Sequence, residues 1–396
     1  MSIEAKTQYL GRIYDRYQRA GREHKGKILD EFCAVCGYHR KAALRLLNRP
    51  RAGSTRRRRG PKPTYEAPKI LGPLKTIWLA SEQPCGKRLK EIIPLWLPHL
   101  KKGLSAAVRQ QLLDLSAATI DRLLVPVRAR HPRRGLGTTK PGALLRHQVA
   151  LRGGPANTTE PGHLEADTVA HCGDTTAGDF IYSLTVTDPA SGWTENRATW
   201  NKAAAGILLQ YQDMEKVLPF AVKSFHSDNG SEFLNWSLHR HLRERGVPFT
   251  RSRAYRKNDN AHVEQKNWTH VRQLFGHDRM EHPELVEPMN AVYRHEWRLL
   301  QNYFLPKAKL IDKQKLGSRY RRRYEKPKTP LQRLLESPDV TQESKAALQA
   351  EHAQLNPFHL REELERKLRL FFTAKSNLDR EASMSYPDAS PGNILP

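Results

Sequence analysis

The chain of 396 residues has few cysteines, four in all. So few thiols cannot form the disulfide framework of a small secreted protein, and they fit a reducing compartment. Long apolar runs are also missing: none reaches the roughly 18 residues that a transmembrane helix needs. The N-terminus likewise lacks the apolar stretch of a signal peptide. These absences predict a cytoplasmic protein without a membrane partner.

Acidic residues are scarce in the first 150 positions, which hold 10 Asp and Glu against 32 Lys and Arg. The net charge of this part is +22, out of +26 for the whole chain. Such asymmetry predicts a polyanionic partner and favours nucleic acid. A solvated basic surface and a ribosome-associated tail are the alternatives that charge alone leaves open.

Three short helical patterns begin the chain, at residues 9–20, 25–32 and 39–48. A turn with a glycine precedes the third pattern, which is basic, as in a helix-turn-helix DNA-binding domain. We therefore predict such a domain over residues 1–50. The predicted DNA contacts in its third helix are His39, Arg40, Lys41 and Arg45. Because any small helical bundle has a similar periodicity, a bundle without DNA contacts is the alternative.

Two cysteines at that turn, Cys33 and Cys36, suggest a further alternative. Together with His24 and His39 they would supply the four ligands of a zinc site. The chain has no second cysteine pair at the spacing of a zinc ribbon, and small thiols pack well between helices. We therefore interpret both cysteines as packing residues.

Residues 51–64, rich in Arg, Gly and Pro, predict a basic linker. Its predicted DNA contacts are Arg56, Arg57, Arg58 and Arg59, which could lie in a minor groove; a solvated tether is the alternative. A second helix-turn-helix-like domain is predicted over residues 65–127, where Ser116 can cap a helix. The predicted DNA contacts in that helix are Thr119 and Arg122, beside Asp121. Residues 128–156 predict another basic linker.

Beyond residue 156 the pattern changes from helical to mixed. Strand patterns cover residues 162–171, 179–187, 192–199, 221–226 and 247–251, and helix patterns cover residues 202–217 and 232–245. The turn residues between the second and third strands predict a hairpin. Three strands, helix, strand, helix, strand and helix is the order of an RNase H-like domain. We predict this domain, with a five-stranded mixed sheet, over residues 157–280.

Three carboxylates stand out in this region because of their local contexts. Asp167 lies within the first strand, Asp228 follows the fourth strand, and Glu264, separated from Asp228 by 35 residues, lies on the last helix. Taken singly, they could be an edge-strand charge, a turn residue and a solvated helix position. Together they favour a site that holds two divalent cations against a phosphodiester. We predict that Asp167 bridges the two ions and that Asp228 and Glu264 each bind one.

The segments Ser227-Asp-Asn-Gly-Ser-Glu-Phe233 and Asn260-Ala-His-Val-Glu264, with Asp167 before them, resemble DDE transposases of bacterial insertion sequences. The catalytic core of that family is similar to the core of retroviral integrases. The resemblance, specific over about residues 157–280, implies cleavage at transposon ends and joining of the freed 3′-hydroxyl to target DNA. It also implies two Mg²⁺ or Mn²⁺ ions per active site and no covalent enzyme intermediate. We further expect a homo-oligomer on double-stranded DNA, associated with the bacterial nucleoid.

Two other functions remain open at this point. A non-catalytic DNA-binding regulator derived from a transposase would need only the N-terminal domains. An RNase H-like nuclease would use the same metals but would need no end-specific N-terminal part. The complete set of three carboxylates argues against the first, and the long basic N-terminal part argues against the second.

One position departs from the family pattern. Related enzymes often place Lys or Arg seven residues after the glutamate to hold the DNA end, and here that position is Val271. Lys266, Asn267 and Arg272 lie on the same predicted helix. We predict that these three side chains contact DNA instead.

The C-terminal region, residues 281–373, is predicted to be mostly helical and basic. Its segment 319–328 interleaves arginines with tyrosines, which predicts either a grip on a nucleic-acid strand or a solvated loop. An amphipathic pattern at 359–372 predicts a helix for a partner or for the core. Residues 374–396 predict a disordered tail. The whole chain is thus predicted to be a multidomain protein of the α plus α/β class.

Overall fold

The computed structural model describes residues 1–49, 65, 67–100, 103–129, 150–151, 159–253, 261–316 and 318–385. The chain forms two compact units, Met1–Thr64 and Tyr65–Pro396. None of the helices in the described ranges combines the length and the apolar character that a membrane span requires.

Three helices build the first unit: α1 (Ile3–Arg19), α2 (Arg22–Cys36) and α3 (Arg40–Leu47). Their apolar faces meet around Phe32, Ala43 and Leu47, which are fully buried, and Cys36 lies in the same core. Gly37 ends α2 with φ 68°, a left-handed conformation that favours glycine and turns the chain into α3. The three predicted helices are confirmed, although α2 runs four residues beyond its predicted end. Their role in DNA binding stays a prediction.

Four helices open the second unit: α4 (Ala67–Ala80), α5 (Gly86–Trp96), α6 (Ala106–Asp114) and α7 (Ala117–Arg128), with a 3₁₀ turn at Leu97–His99. Ser116 caps α7 as predicted, because its hydroxyl accepts a hydrogen bond from the Thr119 amide at 3.2 Å. Asp121 joins α7 to α5 by accepting a hydrogen bond from the Gly86 amide at 2.9 Å. A Cβ at position 86 would lie 2.3 Å from the Ala117 carbonyl oxygen, so this close approach requires glycine.

A mixed sheet forms the centre of the second unit. Its strands are β1 (Ala150–Leu151), β2 (His163–Ala170), β3 (Ile181–Thr187), β4 (Thr194–Trp200), β5 (Ser224–Ser227) and β6 (Phe249–Arg251), with α8 (Ala204–Glu215) before β5 and α9 (Trp236–Glu244) before β6. The spatial order is β1-β6-β5-β2-β3-β4. β2, β3 and β4 are antiparallel neighbours, whereas β5 runs parallel to both β2 and β6. The predicted order of strands and helices and the β3–β4 hairpin are confirmed.

β1 is the sixth strand of a sheet that was predicted to have five. Its two residues pair in parallel with Thr250 and Arg251 of β6. The pattern placed them in the basic linker 128–156, because two residues are too few to show the alternation that marks a strand.

Two helical segments follow the sheet. The first consists of α10 (Ala261–Lys266), a π-helical stretch at Asn267–Arg272 and α11 (Gln273–Phe275). The second begins with a 3₁₀ turn at Pro283–Leu285 and α12 (Val286–Val292), and it continues through π-helical stretches at Tyr293–Trp297 and Leu300–Phe304. α10 packs against β2 and β3, and α12 packs against β4.

Two asparagines from the second of these segments cover the backbone of the edge strand β4. Asn290 accepts a hydrogen bond from the Ala198 amide at 2.7 Å and donates one to the Ala198 carbonyl at 3.0 Å. Asn302 makes the same pair of bonds with Thr194, both at 3.0 Å. All four residues are buried. The side-chain amides thus take the place of a neighbouring strand and close this edge of the sheet.

Asn290→Leu is expected to lower the free energy of unfolding by about 2–4 kcal/mol. Leucine has a similar volume but leaves both backbone groups of Ala198 buried without a partner, which costs about 1–3 kcal/mol for each group. The measurement is urea denaturation, with Asn377→Leu on the exposed face of the last helix as the control. Equal stability of the Asn290→Leu variant and the wild type would contradict this role.

The C-terminal region contains a hairpin, β7 (Leu310–Leu316) with β8 (Arg319–Tyr324), and three helices, α13 (Pro330–Glu336), α14 (Gln342–Gln354) and α15 (Pro357–Ser385). The predicted disordered tail is wrong for residues 374–385, which continue α15. Leu378 packs against the core, and the Lys375 ammonium pairs with Asp379 at 2.7 Å. These contacts order a polar segment whose composition alone predicts disorder. Residues 386–396 lie outside the described residues.

α4 to α7 share one hydrophobic core with the C-terminal helices. The Trp96 indole N–H donates to the Phe304 carbonyl at 3.1 Å, and the Trp96 ring meets the Phe358 ring edge-on with 5.0 Å between centroids. Both regions therefore belong to the second compact unit. The predicted domain boundaries within that unit stay a prediction.

Candidate active site

Asp167 lies on β2, one of the two central strands of the sheet. The Thr168 amide donates a hydrogen bond to Oδ1 of Asp167 at 2.8 Å. Nδ2 of Asn267 donates to Oδ2 at 2.6 Å, from the helical segment that follows the sheet. Both oxygens of this carboxylate are therefore held by hydrogen bonds, one from the strand and one from the helix.

Asp228 follows β5 directly. In the parallel pairing of β5 with β2, Ser227 lies opposite Ala166, so the next residues on the two strands are Asp228 and Asp167. The Gly230 amide donates a hydrogen bond to Oδ1 of Asp228 at 2.9 Å and orients this carboxylate in its turn. The sheet register thus brings the first two predicted carboxylates to neighbouring positions, since adjacent strands are about 4.8 Å apart.

Glu264 lies on α10, which packs against β2 and β3. Val263 is fully buried against the sheet, whereas Glu264 is exposed. Asn267, three residues later, lies about one turn further along the helix and bonds to Asp167. The helix therefore brings an exposed carboxylate and a side-chain amide to the same part of the sheet.

The pKa values of the two aspartates show that the three acids influence one another. Burial and then the charges of Asp228 and Glu264 raise the pKa of Asp167 to about 8. Burial and then the charges of Glu232 and Glu264 raise the pKa of Asp228 to about 6. Each aspartate is thus within Coulombic range of Glu264, and like charges at short range disfavour ionisation.

Glu232 is a fourth carboxylate at the site, and the sequence patterns did not reveal its role. Its side chain is 5% exposed, and its Oε1 accepts a hydrogen bond from the Thr168 hydroxyl at 2.8 Å. The Lys202 ammonium lies 3.8 Å from its Oε2. The sequence feature that could have pointed to Glu232 is its position in the Ser227–Phe233 segment, four residues after Asp228. Its burial depends on contacts with residues distant in sequence.

The described residues do not form a complete metal-binding site. Across the parts of the chain that the structure describes, no three His, Cys, Asp or Glu side chains lie together in a group that could hold an ion. Two buried acceptor atoms of the site nevertheless have no hydrogen-bond partner, Oε2 of Glu232 and Oδ1 of Asn267. Unsatisfied buried oxygens cost free energy, and a hard divalent cation binds such oxygens. The donor atoms around Asp167 thus fit Mg²⁺ or Mn²⁺.

The predicted DNA contacts beside Glu264 lie in different environments. Lys266 is buried, and its ammonium donates to the Gly192 carbonyl at 3.2 Å. Arg272 donates to the Ala170 carbonyl at 2.8 Å and so joins the helix to the end of β2. Val271, at the position where relatives often carry a cation, is fully buried. The π-helical stretch changes the register of this helix, so sequence spacing alone could not place these side chains.

Most of the predicted DNA contacts in residues 1–50 and 65–127 are exposed to solvent. His39, Arg40, Lys41, Arg45 and Arg122 are exposed, and Thr119 is half-buried. Arg40 pairs with Asp30, and Arg122 donates to the Thr119 hydroxyl at 3.1 Å. The basic arm of Arg56, Arg57, Arg58 and Arg59 lies outside the described residues. DNA binding by these side chains stays a prediction.

A protein of Sinorhizobium fredii, named uncharacterized protein y4rM, is 37% identical to this chain over 343 residues. The match covers 84% of this chain and 96% of that protein. The chain belongs to the y4rM family. No model of a protein family matches this y4rM-family chain.

Two solved structures are similar to part of the y4rM-family chain. The catalytic core domain of BIV integrase is 14% identical, with a TM-score of 0.26, and the match covers 36% of this chain and 83% of that one. The catalytic core domain of HTLV-2 integrase in complex with magnesium is 12% identical, with a TM-score of 0.29, and the match covers 38% of this chain and 93% of that one. These TM-scores are too low to bear on the chemistry of the chain.

Proposed function

We propose that this y4rM-family protein is a DDE transposase that binds the ends of an insertion sequence and catalyses metal-dependent DNA cleavage and strand transfer. The observation that carries the proposal is the placement of Asp167, Asp228 and Glu264 on neighbouring elements of the sheet. These carboxylates come from a central strand, the end of its parallel neighbour and a helix that packs on the sheet. The charges of Asp228 and Glu264 both raise the pKa of Asp167.

Asp167, Asp228 and Glu264 would hold two Mg²⁺ or Mn²⁺ ions. Bound there, the ions would activate a water or a 3′-hydroxyl and neutralise the leaving oxygen of the phosphodiester. Mutual repulsion of the carboxylates and Oδ1 of Asn267, which has no hydrogen-bond partner, support the fit, because a cation relieves both.

The remaining groups orient these ligands. Asn267 and the Thr168 amide fix the two oxygens of Asp167, and the Gly230 amide fixes one oxygen of Asp228. Glu232 adds negative charge beside Asp228 and strengthens the attraction for cations. Asn267 thus positions a metal ligand, whereas its sequence position alone predicted a DNA contact.

The partner in this proposal is double-stranded DNA, as transposon ends and as target. The exposed cations of α3 and the net charge of +22 over residues 1–150 support binding through the N-terminal part. We also propose that the protein acts as a homo-oligomer on the DNA and is associated with the nucleoid.

The proposal is tested by incubating the full chain with Mg²⁺ and DNA that carries the element's own ends. Cleavage at the 3′ ends and joining to a second DNA are the expected result. Binding to the ends without cleavage would instead indicate a regulator, and cutting without preference for the ends would indicate an RNase H-like nuclease. Either result would refute the transposase.

A further inference from the structure

The β7–β8 hairpin, residues 310–324, is strongly basic and exposed to solvent. It carries six Lys and Arg against one acidic residue, Asp312. Every residue of β8 is exposed, and β7 is exposed except for a half-buried Asp312. The four arginines of β8 form no ion pair with any described residue. A two-stranded hairpin with both faces in water is only marginally stable, so these features point to a function in binding.

The register of the hairpin places cations and aromatic rings on one face. Lys313 lies opposite Arg322, and Lys315 lies opposite Tyr320. The Lys313 ammonium lies 4.7 Å from the centroid of the Tyr320 ring, which confirms that these side chains share a face. Like charges directly opposite each other destabilise a strand pair, and a polyanion would remove this repulsion.

The root of the hairpin, residues 307–309 and 325–328, is fixed to the rest of the second compact unit. Lys307 and Lys328 pair at its base, with backbone hydrogen bonds of 2.9 and 3.1 Å. Above this pair, the Glu325 amide donates to the Lys309 carbonyl at 3.0 Å. Arg333 of α13 donates to the Lys307 carbonyl at 2.5 Å and pairs with Glu325. These contacts fix the direction in which the two exposed strands leave the second unit.

The same root is joined to the helix that carries Glu264. The Lys307 ammonium lies 3.0 Å from Nε2 of His270, which belongs to the stretch Asn267–Arg272. The hairpin root and this helix also share the turn between β3 and β4, where Lys309 donates to the Ala190 carbonyl and Lys266 to the Gly192 carbonyl. The hairpin root therefore contacts both the β3–β4 turn and the helical segment that follows from Glu264.

We propose that the β7–β8 hairpin binds the phosphate backbone of duplex DNA that is engaged by the candidate active site. The inference rests on the proposed function for the identity of the partner, and charge complementarity supports it. The major groove of B-DNA admits a two-stranded ribbon, and exposed Arg and Lys neutralise phosphates on either side.

The test uses full-length protein with three substitutions on the face that carries Tyr320, Lys313→Gln, Lys315→Gln and Arg322→Gln. Fluorescence anisotropy measures binding to a labelled duplex at several salt concentrations, in EDTA, so that the metal site plays no part. Each phosphate contact contributes about 0.9 to the slope of log affinity against log salt. We expect the slope to fall by about 2 to 3.

The matched control removes three exposed cations outside the hairpin and outside residues 1–150, by Lys216→Gln, Arg243→Gln and Arg369→Gln. This triple variant has the same net charge and should keep the slope of the wild type. Equal slopes for the hairpin variant and the wild type, or equal losses in both triple variants, would overturn the proposal. So would a loss that appears with single-stranded DNA and not with the duplex.

The result is independent of the cleavage assay. A wild type that does not cleave end-bearing DNA but shows the hairpin-dependent slope would refute the transposase and leave DNA binding by the hairpin intact. A wild type that cleaves, with a hairpin variant of unchanged slope, would refute the hairpin alone.

Discussion

Asp228→Asn is expected to lower the rate of Mg²⁺-dependent cleavage of end-bearing DNA by about 1,000-fold or more. The amide keeps an oxygen for the Gly230 N–H, so the local turn is retained, but the negative charge that attracts a cation is lost. A metal ion stabilises the transition state by several kcal/mol, and about 1.4 kcal/mol corresponds to a tenfold change in rate. The measurement is the single-turnover rate at saturating DNA.

Asp174→Asn is the matched control for this variant. Asp174 is exposed in the loop between β2 and β3. The control should cleave at the rate of the wild type. A folded Asp228→Asn variant that cleaves within about tenfold of the wild type would contradict a role for Asp228 as a metal ligand.

Glu232→Gln is expected to raise the Mg²⁺ concentration for half-maximal cleavage by about 10- to 100-fold, the usual effect of removing a group that supports metal ligands. Glutamine can still accept the hydrogen bond from the Thr168 hydroxyl, so the side chain should keep its place. The variant removes a buried negative charge beside Asp228. The melting temperature in EDTA should therefore be equal to or higher than that of the wild type.

Glu244→Gln, on the exposed end of α9, is the control for charge alone and should leave the Mg²⁺ dependence unchanged. Two results would show that Glu232 has a structural role instead. One is a fall in the melting temperature of Glu232→Gln in EDTA. The other is a loss of cleavage that additional Mg²⁺ does not restore.

The elements of the sheet could be predicted from the sequence because their signals are local. Alternating residues mark β2, β3 and β4, and the Asn229-Gly230 turn marks the point where β5 ends. Asp167, Asp228 and Glu264 were predicted as site residues in this way, since each stands in a short context that places it on a strand, at a strand end or on a helix. The pairing of β2 with β5 that makes Asp167 and Asp228 neighbours is given by the structure and not by a local pattern.

Contacts between distant parts of the chain could not be predicted. The role of Glu232 depends on Thr168, which lies 64 positions earlier in the chain. The sequence around Asn267 does not show that its side chain bonds to Asp167. This contact depends on how the helix packs against the sheet. The last turns of α15 are polar in sequence, and their order comes from contacts with the core. In each case tertiary packing decides the role, and no local pattern encodes it.

The central claim is that Asp167, Asp228 and Glu264 together bind divalent cations on DNA. Its most direct test is a titration of the full chain, bound to end-bearing DNA, with Mn²⁺, observed by electron paramagnetic resonance. We predict saturable binding of two ions in the wild type and the loss of at least one in Asp228→Asn, but not in Asp174→Asn. Absence of saturable binding, or identical binding by the wild type and Asp228→Asn, would contradict the claim.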